Sequence, residues 1–349
     1  MAQYRSLNVR SPFFTQLSTT QILVNCEVRL WKGDVVTDLP TDYTYLLTKE
    51  PTSGASTFEV AELARDFLAH TSSLTSGYCW MQTKMVDGDL ADVVDTYLIT
   101  EGYTIYTEGL QSNAQSPVYD FVGLPLDATN KRIMVTESGT NVIPYYSSSN
   151  GADYSTEAYN LSNASLGNTL IAEKTNSSQM VRSFIVTPSM SSVSFDFDGV
   201  TENVIVDVLR CSKYEAINLM YVNKYGMKTY FPFILKSIEK IKSSSDTFNR
   251  SLVDYNGLSS SSGLHASRKR ITGTKQSFVL NTDWIAEYYV KQLEEVLLSE
   301  YVWLVKGADN PIPVNVTTST MEKKTHLNDK LINYSIELET ASNYINTVR

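Results

Sequence analysis

The segment Leu219–Leu235 reads LMYVNKYGMKTYFPFIL. It sets Tyr221, Tyr225, Tyr230, Phe231 and Phe233 around an Asn-Lys-Tyr-Gly centre. Two readings compete: an aromatic ligand surface with a Gly-bearing loop, or a β-hairpin whose aromatics fill a core. Ile217, Leu219 and Tyr221 alternate with other residues up to Asn223, as in a strand, and Met227–Leu235 supplies the return. Asn223, Tyr225 and Gly226 form the turn, with Gly226 tolerating the positive φ that other residues resist. Pro232 removes a backbone donor, so its strand belongs at a sheet edge or a bulge. The stretch predicts a hairpin whose turn fixes its register.

The flanking sequence continues in the same vein. In QILVNCEVRLWKGD, Ile22, Val24, Cys26, Val28 and Leu30 alternate with more polar residues, the period of a half-buried strand. DYTYLLTKE follows as a second strand ended by Pro51 and Gly54. The period then changes. STFEVAELARDFLAH places Val60, Leu63, Ala64, Phe67 and Leu68 on one helical face. Ser56 and Glu59 have the spacing of a capping box, which predicts a helix start near Thr57. GYCWMQTKMVDGD and DVVDTYLITEGYTIYTEG return to strand alternation, with a turn at Asp87-Gly88.

Asn141–Thr187 begins with a run poor in charge and rich in Ser, Asn and Gly, read as long loops or a surface that a neighbouring subunit orders. MVRSFIVTP, SVSFDFDGV and NVIVDVLRC resume strand patterning. Ser243–Ser267 is a second polar stretch, expected as a flexible arm or exposed loop. Beyond it, Ile285, Tyr289, Leu293, Val296 and Leu297 form a helix stripe that Asn281, Thr282 or Asp283 could cap. Asn328 and Asp329 then supply a hairpin turn before the alternation of Ile332, Tyr334, Ile336 and Leu338. The expected fold is mainly β, with two or more sandwich-like domains, a few short α-helices and an α+β C-terminal part. The expected divisions are 1–125, 126–240 with a polar insertion at 141–180, and 241–349, the last packed on the central domain.

Composition narrows the functional classes. Of 349 residues, 19% are charged, against roughly 25% in ordinary soluble proteins. With 22 Tyr, this suits strands and surfaces covered in an assembly, where Tyr supplies contact area. A net charge of −9 and a pI near 5.0 argue against a nucleic-acid binder, whose footprint is a basic patch. The one basic cluster, Arg268-Lys269-Arg270, is short and reads as a solvated junction. Cys26, Cys79 and Cys211 are odd in number and widely spaced, and read as buried free thiols made in a reducing cytoplasm. The opening MAQYRSLNVRSPFF lacks the pattern of a signal peptide and no apolar run approaches about 20 residues, so neither a leader nor a membrane span is expected.

Catalytic signatures are missing. His70, His265 and His326 have no ligand spacing, and the sequence holds no Cys-x-x-Cys, nucleophile elbow or phosphate loop. Asp87, Asp89, Asp196 and Asp198 lie at expected turns and read as solvated. Trp80, Tyr97, Tyr103 and Tyr106 fall in strands, as core and subunit interface rather than a sugar platform. The expectation is no enzyme and no cofactor.

Several blocks carry a resemblance. They are the Asn-Lys-Tyr-Gly turn at Asn223–Gly226 with its aromatic return strand, YLLTKEPTSGASTFEVAELARDFL, LNTDWIAEYYVKQLEEVLLSEYVWL and KTHLNDKLINYSIELETA. Together they resemble structural virion proteins, of the tail and baseplate type, from tailed phages of Bacteroidetes- and Flavobacteria-like hosts. The likeness touches about half the chain in scattered blocks, and Asn141–Thr187 lies outside it. It implies a tail-tip, baseplate or neck-ring subunit, assembled in the host bacterial cytoplasm with copies of itself and other virion proteins. The alternatives are a receptor- or glycan-binding tail protein, with a host-surface partner, and a capsid-associated decoration or fibre protein.

Overall fold

The computed structural model describes residues 3–7, 14–18, 23–33, 38–74, 76–86, 92–103, 121–127, 130–147, 153–159, 165–172, 180–197, 200–210, 213–249, 253–254, 259–260, 265, 267–307, 310–322 and 331–343. The protein is mainly β, and the described residues form several largely antiparallel sheets and two short α-helices.

The first 101 residues give β1 (Gln3–Leu7), β2 (Phe14–Ser18), β3 (Val24–Trp31), β4 (Tyr45–Lys49), β5 (Ala55–Glu59), α1 (Ala61–Phe67), β6 (Tyr78–Val86) and β7 (Val93–Glu101). Five strands form one sheet in the order β1-β7-β6-β3-β4, while β2 pairs with β5. Alternation gives the sheet two apolar faces. Val24, Cys26, Val28, Cys79, Met81 and Ile99 join the core that α1 and β5 cover. Trp31, Trp80 and Leu98 project from the other face into a separate cluster.

The expected cap on α1 is a correction. Ser56 and Glu59 belong to β5, whose residues pair in register with Phe14–Ser18. The helix starts at Ala61, its N-cap is Val60, and no side chain caps it. Ser56 and Phe58 alternate inward as strand residues, and the buried Ser56 hydroxyl has no hydrogen-bond partner among the described residues. Cross-strand pairing, a tertiary interaction, outweighs a capping worth only about 1 kcal/mol.

The central segment gives β8 (Phe121–Val122), β9 (Leu126–Asp127), β10 (Asn130–Thr136), β11 (Asn141–Ser147), β12 (Asp153–Tyr159), β13 (Ser165–Ala172), β14 (Met180–Val186), β15 (Met190–Phe197) and β16 (Val200–Leu209). They build a six-stranded sheet, β13-β12-β15-β16-β10-β9, and a three-stranded one, β14-β11-β8. Tyr145, Phe184, Phe195 and Val204 share the core between them. The polar run expected as loops thus contains β11, β12 and β13. Backbone pairing with β14 and β15 makes these strands, and Val142, Ile143, Tyr145 and Tyr146 of β11 are buried.

The remaining elements are β17 (Ile217–Val222), β18 (Lys228–Phe233), β19 (Ile238–Asn249), β20 (Val253–Asp254), β21 (Ser259–Ser260), β22 (Ser267–Asn281), β23 (Ile285–Ala286), α2 (Val290–Leu298), β24 (Val302–Lys306), β25 (Ile312–Val316), β26 (Leu331–Ile332) and β27 (Ser335–Thr340). Seven of them form a sheet in the order β18-β17-β24-β25-β27-β22-β19, drawing strands from either side of residue 240. The core beneath it holds Leu219, Tyr221, Phe231, Phe233, Leu280, Leu293, Val296 and Ile336. Asn281, Thr282 and Asp283 do not cap α2, which follows a 3-10 turn and has Tyr289 as its N-cap. Thr282 instead ties to Tyr334, its amide donating to the Tyr334 carbonyl and its hydroxyl accepting from the Tyr334 amide at 2.8 Å. Asn328 and Asp329 lie outside the described residues, as do Cys211, His326, Asp87 and Asp89.

The opening stretch is the β17–β18 hairpin, in register from Ile217 opposite Phe233 to Val222 opposite Lys228. β18 ends the sheet, which accommodates Pro232. Gly226 has φ +76°, and a Cβ there would sit 2.7 Å from the Glu101 backbone nitrogen and 2.8 Å from its carbonyl carbon. Neither atom can move without disturbing β7. Gly226→Ala should therefore lower the melting temperature by several degrees, whereas Lys224→Ala should leave it nearly unchanged. Thermal denaturation followed by circular dichroism checks both.

Candidate assembly site

The tip of the β17–β18 hairpin is buried, not presented. The Asn223 side chain organises it: Oδ1 accepts from the amides of Tyr225 and Met227, both at 3.0 Å, and Nδ2 donates to the Gly123 carbonyl at 2.6 Å. The Tyr225 carbonyl accepts from the Thr100 hydroxyl at 2.6 Å, and the Lys224 carbonyl accepts from the Tyr103 amide at 2.8 Å. Met227 and Tyr225 pack in the cluster of Trp31, Trp80, Phe121 and Tyr146, with the Phe121 and Tyr225 rings 5.0 Å apart. Asn223, Tyr225 and Gly226 thus join the five-stranded sheet to the seven-stranded one as a structural element.

A second tie runs through Lys228, whose ammonium donates to the carbonyls of Thr71, Ser73 and Ser76 at 2.7, 2.5 and 3.1 Å, and to the Ser76 hydroxyl. It also lies 5.4 Å from the Trp303 ring centre. Beside it, buried His70 meets Glu101 at 3.0 Å and stacks on Tyr301. Burial pushes the Lys228 amine down to about 8, while the surrounding oxygens favour the charged form. Histidine–carboxylate pairs serve in catalysis, but this one is packed beneath a tyrosine ring at a junction between sheets.

The exposed counterpart is the ribbon of β19 and β22. Twelve register pairs join the strands, with a bulge between Ser244 and Ser245. β27 holds β22 only along Ser277–Asn281, so among the described residues Ser267–Gln276 has β19 as its one strand partner. At about 3.4 Å per residue the projecting part spans roughly 30 Å. All but one residue of β19 are exposed. The polar stretch expected as a flexible loop is, over Ser243–Asn249, one half of this paired arm, because the backbone groups of each strand are satisfied by the other.

Among the described residues no group of three His, Cys, Asp or Glu is placed to hold a metal ion, and no helix is long and apolar enough to cross a membrane. His265 and Asp196 are exposed. Trp80 and Tyr97 are core residues, while Trp284, which the sequence reading passed over, is 64% exposed. Its place just after a strand gave no periodic signal to reveal that. No family model matches the chain, and no curated protein matches it. Among solved structures, the crystal structure of the periplasmic chaperone SfaE aligns over 60% of this chain and 97% of that chain, at 13% identity and a TM-score of 0.19. A likeness that slight carries no argument.

Two measurements test the buried groups. Burial raises the Cys26 thiol to about 11 and the Cys79 thiol to about 12, so both are inert thiols at neutral pH. In a Cys211→Ser protein, a maleimide at about pH 8 should label neither until denaturant is added. For Lys228 the folded value lies below the unfolded one near 10.4. The unfolded chain then binds more protons between about pH 8 and about pH 10, and stability rises with pH across that window. Relative to Lys228→Met, the wild type should gain stability there, measured by urea denaturation at each pH.

Proposed function

We propose that this chain is a structural subunit of a tailed-phage virion, a tail-tip, baseplate or neck-ring component that acts by assembling with copies of itself and with other virion proteins. The observation that carries the reading is the β19–β22 arm. It projects from the sheet with Ile241, Phe248 and Ile271 about half exposed. A two-stranded ribbon is marginal in water on its own, and exposed apolar side chains on a sheet edge mark a surface that another chain completes. The block-wise resemblance to virion proteins agrees with an element of that kind. In this reading the protein works by geometry, and the virion is its location.

Mass spectrometry of purified particles should detect the chain, and cryo-electron microscopy should find it in a symmetric ring. Mature virions that lack it would overturn the reading. A receptor- or glycan-binding tail protein is the second reading, and Trp284 favours it, since an exposed indole can stack on a sugar face. Binding to host-surface glycans that Trp284→Ala abolishes would move the assignment there.

A further inference from the structure

We propose that the β19–β22 arm of one copy docks on the β4 edge of the next, joining subunits head to tail. This deepens the assembly reading by naming the partner, a second copy of this chain, and the two surfaces that meet. Four features of the molecule point to it.

The arm carries apolar side chains out beyond the core. In the observed register Ile241 lies opposite Gln276 and Ser245 opposite Ile271, on the same side as Glu239 and its partner Phe278. Phe278 and Leu280 on that side are buried in the third core, but Ile241 and Ile271 are 58% and 51% exposed. Two apolar side chains of the arm, Ile241 and Ile271, are thus left to solvent beside the polar Ser243, Ser245 and Gln276.

The arm is also basic in an acidic protein. Within Ile238–Asn249 and Ser267–Asn281, Lys240, Lys242, Arg268, Lys269, Arg270 and Lys275 face two acids, Glu239 and Asp246. That is a net of +4 in a chain of −9, which leaves −13 on the remainder. Charge of this sign and placement favours an acidic surface and speeds encounter with it. The first 101 residues are net acidic, with thirteen Asp and Glu against seven Lys and Arg.

The receiving surface has matching chemistry. β4 is the end strand of its sheet, and Tyr43 and Leu46 are each 47% exposed, with Leu39 at 37%. Asp42 and Glu50 flank them and are exposed. Apolar side chains flanked by Asp42 and Glu50, with Lys49 also exposed among them, thus meet apolar side chains on a net-basic arm. Finally, β19 is itself the end strand of the seven-stranded sheet, and the two end strands are not paired with each other within one copy. Edge-to-edge addition of β19 to β4 would pair backbone groups that a single copy leaves to water. Because the two surfaces differ, the contact is heterologous, and repetition closes a ring or propagates a filament.

Sedimentation velocity of the purified full-length chain tests this. Self-association is expected, weakening as salt rises from about 0.05 M to about 0.5 M. Arg268→Glu/Lys269→Glu/Arg270→Glu should raise the Kd about tenfold or more, and Asp42→Lys/Glu50→Lys should do the same from the other surface. Mixing the two variants should restore association, because each reversed surface then meets a reversed partner. All five positions are exposed, and circular dichroism verifies that each variant folds. A chain that stays monomeric at high concentration overturns the proposal, as does association indifferent to either set of reversals. A chain that associates through the arm yet is absent from particles would sink the virion reading and leave this contact standing. A virion chain whose assembly ignores the arm would do the reverse.

Discussion

The carboxamide of Asn223 is the constraint on which the arrangement of sheets depends. A hairpin turn normally faces water, because its backbone groups lack strand partners and must be hydrogen-bonded somewhere. Here the turn is buried against the end of β7, and Asn223 makes that possible by bonding two amides of its own turn and one carbonyl from Gly123. Its oxygen and its nitrogen are both used. Leaving such buried groups unpaired would cost about 1–3 kcal/mol each.

Further ties depend on the position this sets. With the tip seated, Met227 and Tyr225 complete the cluster around Trp80, whose burial is worth roughly 5 kcal/mol by area. Lys228, the first residue of the return strand, reaches the carbonyls of the loop after α1. Two residues further on, the outer edge of β18 meets Asn141, whose side chain bonds both the amide and the carbonyl of Tyr230, at 3.2 and 3.0 Å. That carboxamide stands in for a neighbouring strand and closes an edge that would otherwise be open. Tyr289 and Arg132 converge in the same manner on Asp207, fastening the segment before α2 to β16.

The opposite edge of the same sheet is treated differently. There β19 and β22 run beyond the core with most of their side chains exposed. One sheet therefore has a sealed edge facing the rest of its own chain and an open arm facing outward. Buried Asn223, Asn141 and Lys228, together with the half-buried Asp207, sit at junctions between sheets. These groups hold the sheets to one another, which the proposed assembly role requires.

Local alternation was enough to identify β3, β6, β15, β16 and the β17–β18 hairpin, and to single out Gly226, because period-two patterning and the demand for positive φ are both carried by adjacent residues. It could not reveal that residues 55–59 are a strand and not a helix cap, since the deciding partner, β2, lies some 40 residues away in sequence. Nor could it find β12 and β13, whose Ser- and Asn-rich sequences look like loops until backbone pairing is known. The same limit applies to Asn223, Asn141 and Lys228, polar residues whose importance rests on carbonyls brought to them by distant segments. Sequence by itself determined a β-rich chain without catalytic motifs, since propensity and patterning are local. Tertiary structure alone decided which turn is buried, which strands share a sheet and which arm is left exposed, since each depends on long-range pairing that no local pattern encodes.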